Sequence, residues 1–240
     1  MILTAHQPCY LPWLGLFHKI ALADCFICYD HVQYSQGDYT AKNCIKTGQG
    51  RHWLIVPIKK GGKIKQLLKD LEIDNSTDWK SNHWKTIRTA YSRAFFFKQY
   101  EGFLEDFYGR EWNNLTLMNI EMLEWLLKVL GLPHKVERSS YLGIEGRKSQ
   151  GILKMCQQLH ADMIILGEQG QRYIEGDLFE KENIRIMIQK YQHPVYRQMH
   201  DQFISHLSVL DLIFNYGDDS LEILMSGNVS ALDIRSPMAT

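Results

Sequence analysis

The opening stretch, MILTAHQPCYLPWLGLFHKIALADCFICYD, constrains the fold more than any other part of the chain. Residues 1–5 form a short apolar run that delivers a polar pair, His6 and Gln7. A loop with Pro8 and Pro12 follows, then a helix-compatible run over 14–23. A second apolar run, 25–29, ends on Asp30. Strand, loop, helix and strand within roughly thirty residues read as a βαβ unit. In open parallel sheets ligands bind outside the carboxyl ends of the strands. Here those ends carry His6, Gln7 and Asp30.

The same order returns later. Residues 135–140 (KVERSS) read as a strand ending on Ser139 and Ser140, and 151–160 as a helix. Residues 162–167 (DMIILG) read as a buried strand ending on Gly167, and 184–188 (IRIMI) as another strand. Between the two halves, 78–130 has apolar residues at three- and four-residue steps, which predicts helices over roughly 78–94, 100–108 and 114–130. Asp78 is placed to cap the first of these, and Gly131 with Pro133 to stop the last. The aromatic stripe here (Trp79, Trp84, Tyr91, Phe103, Trp125) reads as core. Residues 31–46 read as a polar, aromatic loop, and 53–58 (WLIVPI) as a strand whose Pro57 marks an edge or an end. Near the carboxyl end, Phe203, Leu207, Leu210, Ile213 and Phe214 give one apolar helix face, with Asp211 and Asn215 on a neighbouring one and Gly217 as the stop. The expected architecture is α/β: a Rossmann-like parallel sheet in one domain spanning 1–240, with a helical insertion over about 78–132.

Composition narrows the function classes. Lys plus Arg and Asp plus Glu are 27 each, so the net charge is zero. That argues against bulk electrostatic binding to nucleic acid or an anionic membrane, though not against a local basic cleft. No signal-type leader and no apolar run near membrane-spanning length is present, and the five cysteines are an odd number. Reduced thiols in the cytosol are the expectation. Cys25 and Cys28 form a C-x-x-C inside a strand-like run, where the two thiols point to opposite faces and read as small buried hydrophobes, not a redox or zinc pair. The ten histidines show no ligand spacing, so no metal site is expected. The stretch KKGGKIK over 59–65 lacks the spacing of a P-loop and reads as a solvated hairpin tip.

The blocks HQPCYLPWLGLF (6–17), Asp30, NCIKT (43–47), SSYLGIEGRKSQGILKMC (139–156), HPVYRQMHDQF (193–203) and LSVLDLIFNYG (207–217) together resemble the WbqC-like family over nearly the whole chain. Where that family has an Arg-rich run before I-K-T, this chain has Ala41-Lys42-Asn43-Cys44. Lys42 is a poor bidentate replacement for such an Arg. The resemblance implies a setting in bacterial O-antigen and other surface-polysaccharide (lipopolysaccharide) biosynthesis. It implies cytosolic modification of a nucleotide-linked amino sugar by transfer of an acyl or aminoacyl group such as glycyl. The implied partners are that amino sugar and an activated donor. An aminoacyl-tRNA donor would need a local basic patch, for which Lys59, Lys60, Lys63 and Lys65 are the place to look. Two other classes stay open. One is an adenylate-forming or nucleotidyl-transferring enzyme on a HUP-like scaffold, which would use ATP with Mg²⁺. The other is a noncatalytic carbohydrate-binding assembly protein.

Acyl transfer needs a base near an amine and donors for an oxyanion. His6 is the expected base, and Asp30 is expected to orient an imidazole or bind the attacking amine. Gln7, Gln33 and Asn43 are expected to hydrogen-bond a carbonyl or sugar hydroxyls, and Lys46 to bind a phosphate. Tyr10, Trp13 or Tyr39 would stack on a sugar or base. Gly167 and Tyr173 would line the pocket, with Gln198, Asp211 and Asn215 facing the substrate. Against each stands a structural role: His6 tying down its loop, Trp13 packing it, Asp211 and Asn215 bracing the sheet. Cys9, in the loop after His6, is the thiol to test by alkylation.

Overall fold

The computed structural model describes residues 1–59, 66–132, 135–200 and 202–235. The chain opens with β1 (Ile2–His6), α1 (Leu14–Leu22) and β2 (Cys25–Cys28). An antiparallel hairpin follows, β3 (Lys42–Thr47) and β4 (Gly50–Ile55). Three helices come next: α2 (Trp79–Tyr91), α3 (Phe97–Gly109) and α4 (Leu115–Val129). The chain returns through β5 (Val136–Arg138), α5 (Lys148–Gln158), β6 (Met163–Gly167), α6 (Gly176–Glu180) and β7 (Arg185–Gln189). It closes with α7 (Val209–Tyr216), α8 (Ser220–Met225) and α9 (Ala231–Arg235).

Five strands form one all-parallel sheet in the order β5-β2-β1-β6-β7. The order runs outward from β1 in both directions, so the crevice between β1 and β6 is the topological switch point of a Rossmann-like sheet. The hairpin and α2–α4 are inserted between β2 and β5. Both faces of the sheet are covered, as the near-continuous apolar strands require. On one face Leu3, Ile27, Ile164 and Leu166 pack against Ile152 and Met155 of α5 and Phe179 of α6. On the other, Ile2 and Ile165 meet Leu22 of α1. Phe26 and Cys28 join a large core shared with α1, the inserted helices and α7. Cys25 and Cys28 thus belong to opposite faces, and all five cysteines are free.

Several local readings shift. The stretch read as a polar loop contains β3, because Asn43 and Lys46 are buried yet hydrogen-bonded and so carry no hydropathy signal. β4 sits earlier than 53–58, and α5 begins at Lys148 instead of 151. The helix expected from Phe203 starts only at Val209; 193–200 and 202–206 are irregular, and the His206 carbonyl accepts from the Cys44 thiol of β3. Asp78 stands at the N-cap of α2 but makes no capping bond, whereas the Asn114 side chain accepts from Leu117 N at 2.9 Å and caps α4. Gly131 (φ +66°) ends α4 in the left-handed region that glycine tolerates. Pro133, Lys60, Lys63 and Lys65 lie outside the described residues; Lys59 pairs with Glu72 at 2.8 Å. Among the described residues no helix is long and apolar enough to cross a membrane.

The entry to α1 is tightly built. The Trp13 indole lies over the first turn at Gly15, where an added Cβ would come within 2.4 Å of the ring. Trp13 stacks on His206 (centroids 5.4 Å, 20° apart) and meets Tyr191 edge-on. Gly15→Ala should therefore displace the indole and cost about 1–3 kcal/mol of stability. Urea unfolding of the variant measures this, and a midpoint equal to wild type would contradict the packing described.

Candidate functional site

Parallel register sets what lies at the switch point. His6 is level with Cys28 of β2, and Thr4 pairs with Ile165. Two residues further on, the same register brings His6 level with Gly167. A Cβ placed on Gly167 would meet no atom within 4 Å, so the crevice is open there.

His6 is half-buried, and its Nδ1 lies 2.8 Å from the carbonyl oxygen of Gln7. A carbonyl only accepts, so Nδ1 carries the hydrogen and Nε2 of the neutral ring carries the lone pair. Nε2 has no protein partner among the described residues, nor has the Gln7 side-chain amide. The Cys9 thiol sits 3.4 Å from His6 Nδ1 and donates to the same Gln7 carbonyl. Burial, reinforced by the nearby Lys19 charge and opposed by the Gln7 bond, lowers the His6 pKa to about 4. Burial pushes the Cys9 thiol up to about 12, so it is not a ready thiolate.

Lys19 was not singled out by the sequence reading. It lies on α1, is 3% exposed, and reaches back along the helix to donate to Ala5 O at 2.9 Å. It makes no other hydrogen bond and no ion pair among the described residues. Burial lowers its pKa to about 8, with Cys9 opposing. The one available signal was a lysine inside the apolar run LGLFHKIAL, a position where a solvated face is not expected.

The loop between β1 and α1 is strained and strapped. Leu11 has φ +44° immediately before Pro12, a conformation that costs of order 1–3 kcal/mol for a non-glycine residue. Asn43 Nδ2 holds the Leu11 carbonyl at 2.6 Å, and the Asn43 Oδ1 accepts from Cys44 N. Tyr10 is wholly buried, with its hydroxyl 2.8 Å from His83 Nδ1 and 2.5 Å from Tyr108 Oη. Val209 N donates to Pro12 O at 2.8 Å. Asn43 and Tyr10 therefore hold the loop from beneath, and neither presents a free polar group to the crevice.

Asp30 is fully buried at the end of β2. One oxygen accepts from Ser139 Oγ (3.1 Å) and Ser140 N (2.9 Å), the other from Arg138 Nε (2.7 Å) and Ser140 Oγ (2.8 Å). Burial alone would raise its pKa, but the bonds from Ser140 and Arg138 outweigh that and hold it below the usual range. Both strand-end serines are thus committed to the carboxylate, which rivets β2 to β5.

A third group gathers beneath α7. Asp211 is fully buried and accepts from Tyr91 Oη (2.9 Å) and Tyr196 Oη (3.0 Å). Burial raises its pKa, with the tyrosine bonds, Lys46 and Gln198 opposing. Lys46 Nζ donates to the carbonyls of His200 (3.1 Å) and Gln202. Gln198 bonds both polar groups of Ile204, and Asn215 Nδ2 bonds Asp211 O at 2.7 Å. Above this network opens a cavity of about 740 Å³ lined by Lys46, Tyr196, Gln198, Phe203, Asn215 and Tyr216 among others.

The remaining expected residues are scattered. Gln33 pairs through its backbone with Leu67, and Tyr173 is 40% exposed, its carbonyl accepting from Ser149 Oγ. Tyr39 packs beside Trp53 with ring centroids 6.1 Å apart. So His6, Gln7 and Gly167 stand at the strand ends of the switch point, while Lys46, Gln198 and Asn215 line the cavity and Asp211 lies buried beneath it. Among the described residues no cluster of three His, Cys, Asp or Glu side chains is placed to hold a metal ion.

Fold and site define a Rossmann-like α/β protein with a polar crevice at its switch point. The chain belongs to the WbqC-like protein family, whose model matches residues 7–223. It is also similar to the uncharacterized protein Rv1507c of Mycobacterium tuberculosis, with 32% identity over 220 residues, 91% of this chain and 95% of that one. No solved structure matches the chain significantly.

Two outcomes follow from this geometry. Asp30→Ala leaves Arg138 beside an emptied, buried acceptor site and should cost about 3–5 kcal/mol in urea unfolding; a loss below about 1 kcal/mol would contradict the rivet. The second concerns pH. His6 and His83 bind a proton near pH 6.5 when unfolded but only near 4 when folded, both chiefly through burial. Between those values the unfolded chain holds more protons, so stability falls as pH drops from about 6.5 toward 4. The slope is about 1.4 kcal/mol per pH unit for each histidine. Unfolding free energies at several pH values measure it, and a flat profile over that window would refute the assignment.

Proposed function

We propose that the protein transfers an acyl or aminoacyl group, such as glycyl, to the amino group of a nucleotide-linked amino sugar, in cytosolic steps of O-antigen or related surface-polysaccharide synthesis. The observation that carries this reading is the neutral His6 at the switch point, whose Nε2 has no partner among the described residues and which lies level with the open space at Gly167. With its pKa held near 4 the ring stays neutral across physiological pH, so Nε2 keeps the lone pair that can accept a proton from an amine. The sugar nitrogen attacks the donor carbonyl carbon, the C–N bond forms, and the carbonyl π pair moves to oxygen. His6 Nε2 takes the proton released by the nitrogen. Collapse breaks the bond to the donor's leaving oxygen or sulfur, which receives that proton from His6. Gln7 is placed to hydrogen-bond the sugar or the carbonyl.

Asp30 acts in this reading through the backbone: it fixes the end of β2, the neighbour of β1, to the end of β5 instead of touching substrate. Trp13, Asn43 and Tyr10 hold the loop that carries Gln7. In the cavity, Tyr196, Phe203 and Tyr216 offer faces on which a sugar or base stacks, and Asn215 offers its Oδ1. Lys46 and Gln198 form part of that wall, and Asp211 holds Tyr196 in it from beneath.

The test supplies UDP-linked amino sugars with acetyl-coenzyme A or with charged glycyl-tRNA and follows the sugar by mass spectrometry. Acylated sugar should accumulate, and His6→Ala should slow it about 10²–10⁴-fold while unfolding like wild type. Equal turnover by His6→Ala would overturn the role of His6. Pyrophosphate release from ATP and Mg²⁺ without sugar acylation would replace acyl transfer with nucleotidyl transfer.

A further inference from the structure

In Rossmann-like sheets a phosphate usually rests on the free N–H groups of the helix that follows β1. Here the Trp13 indole lies on that first turn at Gly15. The loop before it is HQPCYLPW, with no glycine to bring the backbone close. The positive charge enters from elsewhere. Lys19 is 3% exposed and ends at the carboxyl tip of β1, where Ala5 O takes one of its three N–H donors. Its other two donors have no partner among the described residues, and no carboxylate pairs with it. Its charge is felt by both His6 and Cys9. A desolvated ammonium with a single neutral partner costs the fold free energy. Such an arrangement is expected where a ligand completes the coordination.

We propose that Lys19 is the anion seat of the crevice, binding a phosphate oxyanion at the carboxyl end of β1 beside His6 and Gln7. Two ammonium donors without a partner among the described residues match the several oxygens of a tetrahedral oxyanion, and Gln7, two residues beyond Ala5, has a side-chain amide with no partner among those residues either. The same chemistry is offered by free phosphate and by the diphosphate of a nucleotide-linked sugar. The proposal shares the crevice with the transferase reading but does not depend on acyl transfer, and its test contains no turnover.

Thermal unfolding of the whole chain at constant ionic strength, with inorganic phosphate, pyrophosphate or UDP, separates the outcomes. At a hundredfold excess over Kd, wild type should gain roughly 5 °C or more. A gain with pyrophosphate and UDP exceeding that with phosphate assigns the seat to a nucleotide diphosphate, and an equal gain assigns it to phosphate itself. In anion-free buffer Lys19→Met should melt at or above wild type and should lose the anion-induced gain; Lys19→Arg should retain part of it. Phosphorus NMR line broadening of pyrophosphate by wild type reports binding independently if Lys19→Met does not fold. Equal stabilisation of Lys19→Met, a fall in its anion-free melting temperature of more than about 3 °C, or no response of wild type to any of the three anions would each overturn the proposal.

Discussion

The site depends on a strained turn being held in place. Between β1 and α1 the chain passes through Leu11 in the left-handed region just before Pro12, and it stays there because Asn43 clamps the Leu11 carbonyl. Asn43 stands in β3, Tyr10 is anchored by His83 of α2 and Tyr108 of α3, and Pro12 is held by the first residue of α7. The hairpin, two inserted helices and α7 thus converge on one loop of seven residues, 7–13. That convergence accounts for a large insertion attached to a five-stranded sheet: its buried polar groups fix the loop that presents His6 and Gln7.

Two buried carboxylates complete the frame in different ways. Asp30 is ionised by bonds from Arg138 and Ser140 and locks adjacent strand ends. Asp211 lies under two tyrosine hydroxyls near Lys46 and joins α7 to α2 and β3. Each is fully hydrogen-bonded, the condition under which a buried polar network rigidifies a structure instead of weakening it. Lys19 stands apart from both, buried beside a neutral histidine with no ionic partner among the described residues.

Much of the fold was legible along the chain because parallel strands buried on both faces leave continuous apolar runs, as in MILTA, CFIC and MIILG. His6, Gln7 and Gly167 were legible as strand-end residues for the same reason. β3 was not, since KNCIKT buries its polar side chains through partners that are far away in sequence. The same limit applies to Asp30: its partners are more than a hundred residues away, so the chain announced a strand-end carboxylate but not its rivet. Lys46 and Asp211 look like ligand-facing charges one at a time, and only the fold shows them near each other. Lys19 left only one trace, a lone cation in an apolar helical run, and nothing in the chain says that its ammonium ends at the tip of β1.

The most direct measurement is histidine-selective ¹⁵N NMR of His6, assigned by comparison with His6→Ala and titrated from pH 8 to pH 4 with and without a UDP-linked amino sugar. The account predicts a neutral ring with its hydrogen on Nδ1 down to about pH 5, and an Nε2 resonance that moves when the sugar nucleotide binds. A ring that titrates near 6.5 and ignores the ligand would contradict the placement of the site at the switch point.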